Sequence, residues 1–193
     1  DFIKQGLLHG IEVANGLDMS DEAFKIALDN NLTILGTSDI HGLIDWDYDL
    51  AGGQHRTATL VLTASETADG LKTALRAGHT VAVYNDNLIG KPENVEAVVR
   101  STLRLEVEDP LPKTTVQAVS VINDSPVDYI IENSGPEGAY DEGHVFTVKA
   151  GSAFTLLIKN VPDPSKLSLT FKVLNTYLAP RQHLTVQLKD VTP

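Results

Sequence analysis

The segment Thr37-Ser38-Asp39-Ile40-His41-Gly42 holds the densest set of groups able to do chemistry. A carboxylate and an imidazole stand two residues apart, directly after the apolar run Thr33 to Thr37. In an extended segment residues i and i+2 point to the same side, about 6 to 7 Å apart, so Asp39 and His41 can converge on one ion. Oxygen and nitrogen donors at the carboxyl end of a parallel strand are a workable pair of metal ligands. A plainer alternative has Asp39 capping the next turn and His41 merely hydrogen-bonded. Spacing alone leaves both open, because Asp-x-His is a short pattern.

Gly52-Gly53-Gln54-His55-Arg56 is a second place of interest, a flexible turn ending in two groups that can contact a phosphate. Arg grips a phosphate through two parallel hydrogen bonds. The alternative is a solvated loop in which Arg56 pairs with a nearby acid. Asp45-Trp46-Asp47-Tyr48-Asp49 opens like a calcium loop, but Leu50 stands where that loop needs Gly and Arg56 where it needs a bidentate Glu. Its three acids read instead as an exposed acidic loop, with an adventitious cation site as the alternative. His9 has no partner at ligand spacing, His79 after Gly78 suits a helix C-terminus, and His144 and His183 begin strands as surface or edge residues. No Gly-Lys-Ser loop, nucleophile elbow or dinucleotide fingerprint occurs, which disfavours phosphate-loop ATPases, α/β-hydrolases and Rossmann enzymes.

Composition narrows the chemistry further. The chain has no cysteine, so any metal must be held by His and carboxylates, and thiolate nucleophiles and disulfides are excluded. The formal charge is −11. The acidic excess lies in residues 1–100, with 7 Lys and Arg against 15 Asp and Glu, whereas residues 101–193 hold 8 against 11. Duplex nucleic acid binding needs clustered Lys and Arg, and no such run is present. The apolar stretches are far shorter than the roughly 18 residues of a membrane span. The start, Asp1-Phe2-Ile3-Lys4-Gln5, lacks an initiator Met and the pattern of a signal peptide, and reads as a boundary.

The elements that must carry these residues fall into two halves. Residues 1–101 alternate strand and helix. Ile11 to Ala14 is a strand ending in an Asn15-Gly16 turn. A helix follows over Asp21 to Asn30, with Ser20 as N-cap and acids in its first turn. Strands at Thr33–Thr37, Ala58–Ala64 and Thr80–Tyr84 surround a helix bearing Leu71, Ala74 and Leu75 and ended by Gly78. A last helix begins at Pro92. Strands separated by helices predict a parallel sheet or part of a barrel. Residues 102–193 change to period-two alternation, predicting strands near 102–108, 115–122, 127–132, 144–149, 153–159, 167–174 and 183–190. Turn signals at 123–126, 134–136 and 162–164 separate them, predicting an antiparallel β-sandwich. The expected fold class is thus α/β plus all-β.

Ile11-Glu12-Val13-Ala14-Asn15-Gly16, followed by Leu35-Gly36-Thr37-Ser38-Asp39-Ile40-His41, resembles the closing portion of the polymerase-and-histidinol-phosphatase (PHP) phosphoesterases. His55-Arg56-Thr57-Ala58-Thr59-Leu60, Val83-Tyr84-Asn85 and Asn87-Leu88-Ile89-Gly90 resemble a bacterial phosphodiesterase branch of that family. The likeness runs over roughly residues 6–100, with a weaker one in the sandwich. It implies a partial distorted (β/α)7 barrel and a two- or three-metal cluster. Asp39 and His41 would be the ligands, Glu12 and Ser38 would support them, and His55 and Arg56 would contact substrate. The ions would be zinc, manganese or iron. The family's opening His-x-His pair and its further His and Glu ligands have no counterpart here, and a complete α/β barrel takes roughly 200 residues or more. The resemblance therefore implies a fragment, inactive alone, whose partners are a small phosphoester and the upstream half of its own barrel or a second subunit. The rival expectation is a non-enzymatic module whose sandwich recognises a carbohydrate or a protein. Aromatic content of 6% leaves few rings for stacking on sugars.

Overall fold

The computed structural model describes residues 2–135, 144–159, 161 and 163–190. The turn positions Pro136 and Pro162 lie outside them. The chain forms two compact units: residues up to Val95 together with Thr176–Gln182, and Glu96–Asn175 together with the residues from His183 onward.

In the first unit the elements are β1 (Gly10–Asn15), β2 (Asp18–Met19), α1 (Asp21–Asp29), β3 (Thr33–Thr37), β4 (Ala58–Val61), α2 (Ala68–Ala77), β5 (Thr80–Tyr84) and β6 (Asn87–Gly90), with α3 (Pro92–Thr102) following. Local chemistry accounts for most of the boundaries. The Ser20 hydroxyl accepts from the Ala23 N–H and starts α1, and the Thr67 hydroxyl accepts from the Gly70 N–H and starts α2. Gly78, at φ +72°, ends α2 in the left-handed conformation, as its sequence position predicts.

The pairing of these strands overturns the expectation of an α/β first half built as a partial distorted (β/α)7 barrel. The chain is mostly β, with three α-helices and four separate sheets among the described residues. One small sheet runs β2-β1-β3, in which β1 and β3 are parallel with a register shift between Glu12 and Ala14. A second runs from β6 through β5 to β4, and both of those pairs are antiparallel. The physical reason is in the connections. Asn85 and Asp86, with φ of +46° and +60°, form a two-residue turn between β5 and β6. Such a turn joins only antiparallel neighbours, and its positive φ pair matches the twist of a hairpin. Between β4 and β5 the helix returns to the end it left, so Val61 faces Thr80. The described residues thus lack the repeated parallel crossover that closes a barrel.

The two sheets approach closely at Gly36 of β3, where an added Cβ would lie 2.9 Å from the Ala58 carbonyl oxygen and 3.0 Å from the Ala82 Cβ. Threonines stitch them: Thr80 donates to the Ile34 carbonyl at 2.7 Å and Thr59 to the Gly36 carbonyl at 2.8 Å. The core beneath joins Val13, Phe24, Ile34, Ala82 and Ile89.

The second unit contains β7 (Leu103–Pro110), β8 (Gln117–Asn123), β9 (Tyr129–Asn133), β10 (Val145–Val148), β11 (Ser152–Ile158), β12 (Ser168–Val173) and β14 (Leu184–Lys189). Their sheets, β10-β9-β12-β14 and β11-β8-β7, are antiparallel throughout. In β12 and β14 every second residue is buried, the pattern of strands with one face on a core. Phe146 of β10 stacks on Phe154 of β11 at 4.7 Å, joining the two layers of the sandwich. The intervening β13 (Thr176–Tyr177) belongs to the first unit, where it pairs in parallel with β6.

Candidate functional site

Strand β3 ends at Thr37, two residues before Asp39. Asp39 then takes φ +52°, a left-handed conformation that few residues other than Gly adopt and that Asp and Asn tolerate best. Simple period-two geometry therefore does not bring Asp39 and His41 together. The left-handed bend does: Asp39 Oδ1 and His41 Nε2 lie 4.0 Å apart. Both side chains are open to solvent, His41 at 86% and Asp39 at 54%. A non-glycine residue held at positive φ beside a cavity is the kind of local strain that functional sites retain.

Three tethers hold this segment. Glu12, on β1, accepts a hydrogen bond from the Thr37 hydroxyl and another from Asn15 Nδ2 at 3.0 Å, tying the ends of β1 and β3. Its bonds thus go to the strand ends beside Asp39 and His41. The Ser38 carbonyl lies 3.1 Å from the Tyr48 hydroxyl, which is equally close to the Gly16 carbonyl. Thr57 donates to that same Gly16 carbonyl at 2.7 Å. Tyr48 and Thr57 are each only 2% exposed.

Asp39 and His41 share a cavity of about 450 Å³ with Gly16, Leu17, Ser38, Gly42, Trp46, Asp47 and Tyr48. This is within the range of small-molecule sites. His55 and Arg56 are exposed and do not line it, and Arg56 makes no ion pair with a described acid. Sequence reasoning weighed Asp47 only as one of three loop acids and missed Trp46, Tyr48 and Thr57. The signal for two of them was the alternation within Asp45-Trp46-Asp47-Tyr48-Asp49, where a buried Tyr interrupts an otherwise exposed acidic run. Of the residues lining the cavity Asp39 and Asp47 are acidic and none is Lys or Arg, so its rim is acidic.

Among the described residues no set of three His, Asp or Glu side chains comes together as a metal site. One carboxylate and one imidazole nevertheless make a donor pair suited to a borderline divalent ion. They would supply two ligands of a larger set.

Comparison with known proteins bears on both units. Residues 103–189 match the model of a family described as an Ig-like domain. A solved structure from Bacteroides vulgatus, described as a two-domain protein containing a predicted PHP-like metal-dependent phosphoesterase, aligns with a TM-score of 0.82 and 28% sequence identity. The alignment covers 97% of this chain and 54% of that one, so the chain spans about half the length of this relative. No curated protein matches. The β-sandwich of the second unit thus matches an Ig-like family model, and the chain is similar to a protein described as containing a predicted PHP-like metal-dependent phosphoesterase.

Proposed function

We propose that this chain is part of a metal-dependent phosphoesterase hydrolysing phosphomonoesters or phosphodiesters. The observation that carries the proposal is the convergence of Asp39 and His41, 4.0 Å apart on an open cavity, in a chain aligned nearly end to end with a PHP-like relative. In this reading Asp39 Oδ1 and His41 Nε2 hold a divalent ion of the zinc, manganese or iron class. The remaining ligands come from residues outside this chain, as the greater length of the relative allows, or from a second subunit. When bound, such an ion supplies a nucleophilic water at neutral pH and offsets charge on the phosphoryl oxygens.

The chain's own residues do the positioning. Glu12 and Thr37 fix where β3 ends, and the Ser38 carbonyl, held by Tyr48, sets the bend that presents the Asp39 carboxylate. The acidic rim repels a phosphate anion until cations offset it, which fits a metal-dependent site. His55 and Arg56, exposed beyond the cavity, would meet a phosphate only if their loop folds toward it.

Elemental analysis tests the proposal on this protein and on a form extended to the relative's full length. Two or three ions in the long form, reduced by Asp39→Asn and by His41→Ala together with phosphodiester hydrolysis, is the expected result. No metal in either form would overturn it. The Ig-like match favours one further role, a binding surface on the sandwich for a carbohydrate or protein partner, which a glycan array with the whole chain would test.

A further inference from the structure

Trp46 is the single tryptophan of the chain, and it is 75% exposed. Leu17, 54% exposed, lines the same cavity as Trp46, and exposed apolar surface grouped at a cavity marks a binding groove. The position of Trp46 is built. Its six-membered ring lies against the backbone of Gly42, next in sequence to His41. A Cβ added to Gly42 would come within 2.8 Å of Cε3 and 2.9 Å of Cζ3. Gly42 therefore provides the space in which the indole sits.

A short 3₁₀ turn, Ile44–Trp46, fixes the backbone, with the Trp46 N–H donating to the Leu43 carbonyl at 3.0 Å. Two residues on, the Tyr48 N–H donates to the Ile44 carbonyl at 3.0 Å, and the buried Tyr48 side chain anchors the turn to the Gly16 and Ser38 carbonyls. The result is an aromatic wall on the cavity that holds Asp39 and His41.

We infer that Trp46 is a specificity-determining residue that receives the planar aromatic ring of a phosphoester whose phosphate faces Asp39 and His41. This rests on the phosphoesterase reading above. A flat ring offers an indole a stacking contact that a flexible glycerol ester cannot. From the usual strength of aromatic pairs, the expected preference for the aromatic ester is about threefold to tenfold.

Because there is one tryptophan, its emission reports this site alone. The 193-residue chain is titrated with Mn²⁺ alone, and then with phenyl phosphate and with glycerol phosphate each in the presence of Mn²⁺, while Trp46 fluorescence is followed. The expected result is a saturable change with phenyl phosphate, half-complete at a concentration at least threefold below that for glycerol phosphate. Gly42→Val, which pushes the indole from its seat, should abolish that difference. Equal half-saturation for the two esters, or quenching by phenyl phosphate that rises linearly without limit, overturns the inference. So does a fluorescence change that depends on protein concentration and on no ester, since a second protein surface would then cover Trp46. The Mn²⁺ arm is independent: quenching present in the native chain and lost in Asp39→Asn supports the metal pair. Absence of that quenching beside a persistent aromatic preference would remove the metal reading and leave Trp46 as a ligand-binding residue. The converse would remove the Trp46 inference alone.

Discussion

Asp39 makes its backbone conformation and its chemistry separable by mutation. Asn tolerates φ near +52° almost as well as Asp, whereas a β-branched residue does not. Asp39→Asn should therefore leave the urea midpoint nearly unchanged while removing the proposed metal ligand, and Asp39→Val should cost about 1–2 kcal/mol of unfolding free energy. Equal destabilisation by the two in denaturant titrations would show that the bend is not what distinguishes this residue. The pair Asp39 and His41 was legible as a candidate from residue type and spacing, but the manner of its convergence was not. Extended geometry predicts side chains parallel on a strand, and the structure reaches proximity through one left-handed residue after the strand has ended. Left-handed bends at Asp leave little trace in a single sequence.

At the scale of elements, caps and turns decide what local sequence can reveal. The Ser20 cap, the Gly78 terminator and the start of α3 at Pro92 were all readable, because each rests on a group within a few residues of the helix end. Ser20→Ala should lower stability by about 1 kcal/mol in thermal or chemical unfolding. Tyr48 belongs to the other kind. Its hydroxyl bridges the Gly16 and Ser38 carbonyls, 32 and 10 residues away in sequence, and nothing local announces that role. Tyr48→Phe should cost about 1–2 kcal/mol, because the Ser38 carbonyl loses this donor while Gly16 keeps Thr57. It should also broaden Trp46 emission as the anchored turn loosens. An unchanged midpoint would mean that water replaces the hydroxyl without cost. The same contrast explains the overturned barrel. Strand positions follow from apolar runs, but whether neighbours pair parallel or antiparallel depends on connections, and the Asn85-Asp86 hairpin turn was the decisive one.

For the whole molecule, the sandwich strands were legible because alternation repeats along them. Less legible were the groups buried between them, such as Tyr129, whose hydroxyl lies 2.7 Å from that of Thr102. Burial raises the Tyr129 pKa above its ordinary value near 10, and hydrogen bonding with Thr102 and Ser125 opposes the shift. The folded state thus keeps this proton where the unfolded chain gives it up. Its contribution is complete below pH 10 and falls as pH rises through the folded value. Stability measured from pH 8 to 12 should show an alkaline decline that Tyr129→Phe reduces, while that variant loses about 1 kcal/mol at neutral pH. The same decline in both would assign it to other groups. Wholly invisible in the sequence was the return of Thr176–Gln182 to the first unit, where Thr176 and Tyr177 pair with Leu88 and Ile89 of β6. This return sets a clock on synthesis. Residues up to Gly90 leave the ribosome with one sheet edge unpaired, and its partner strand emerges about 4 to 17 seconds later at typical bacterial and eukaryotic elongation rates. During that interval the nascent chain presents an open β-edge, and the stretch that closes it is made only after most of the sandwich.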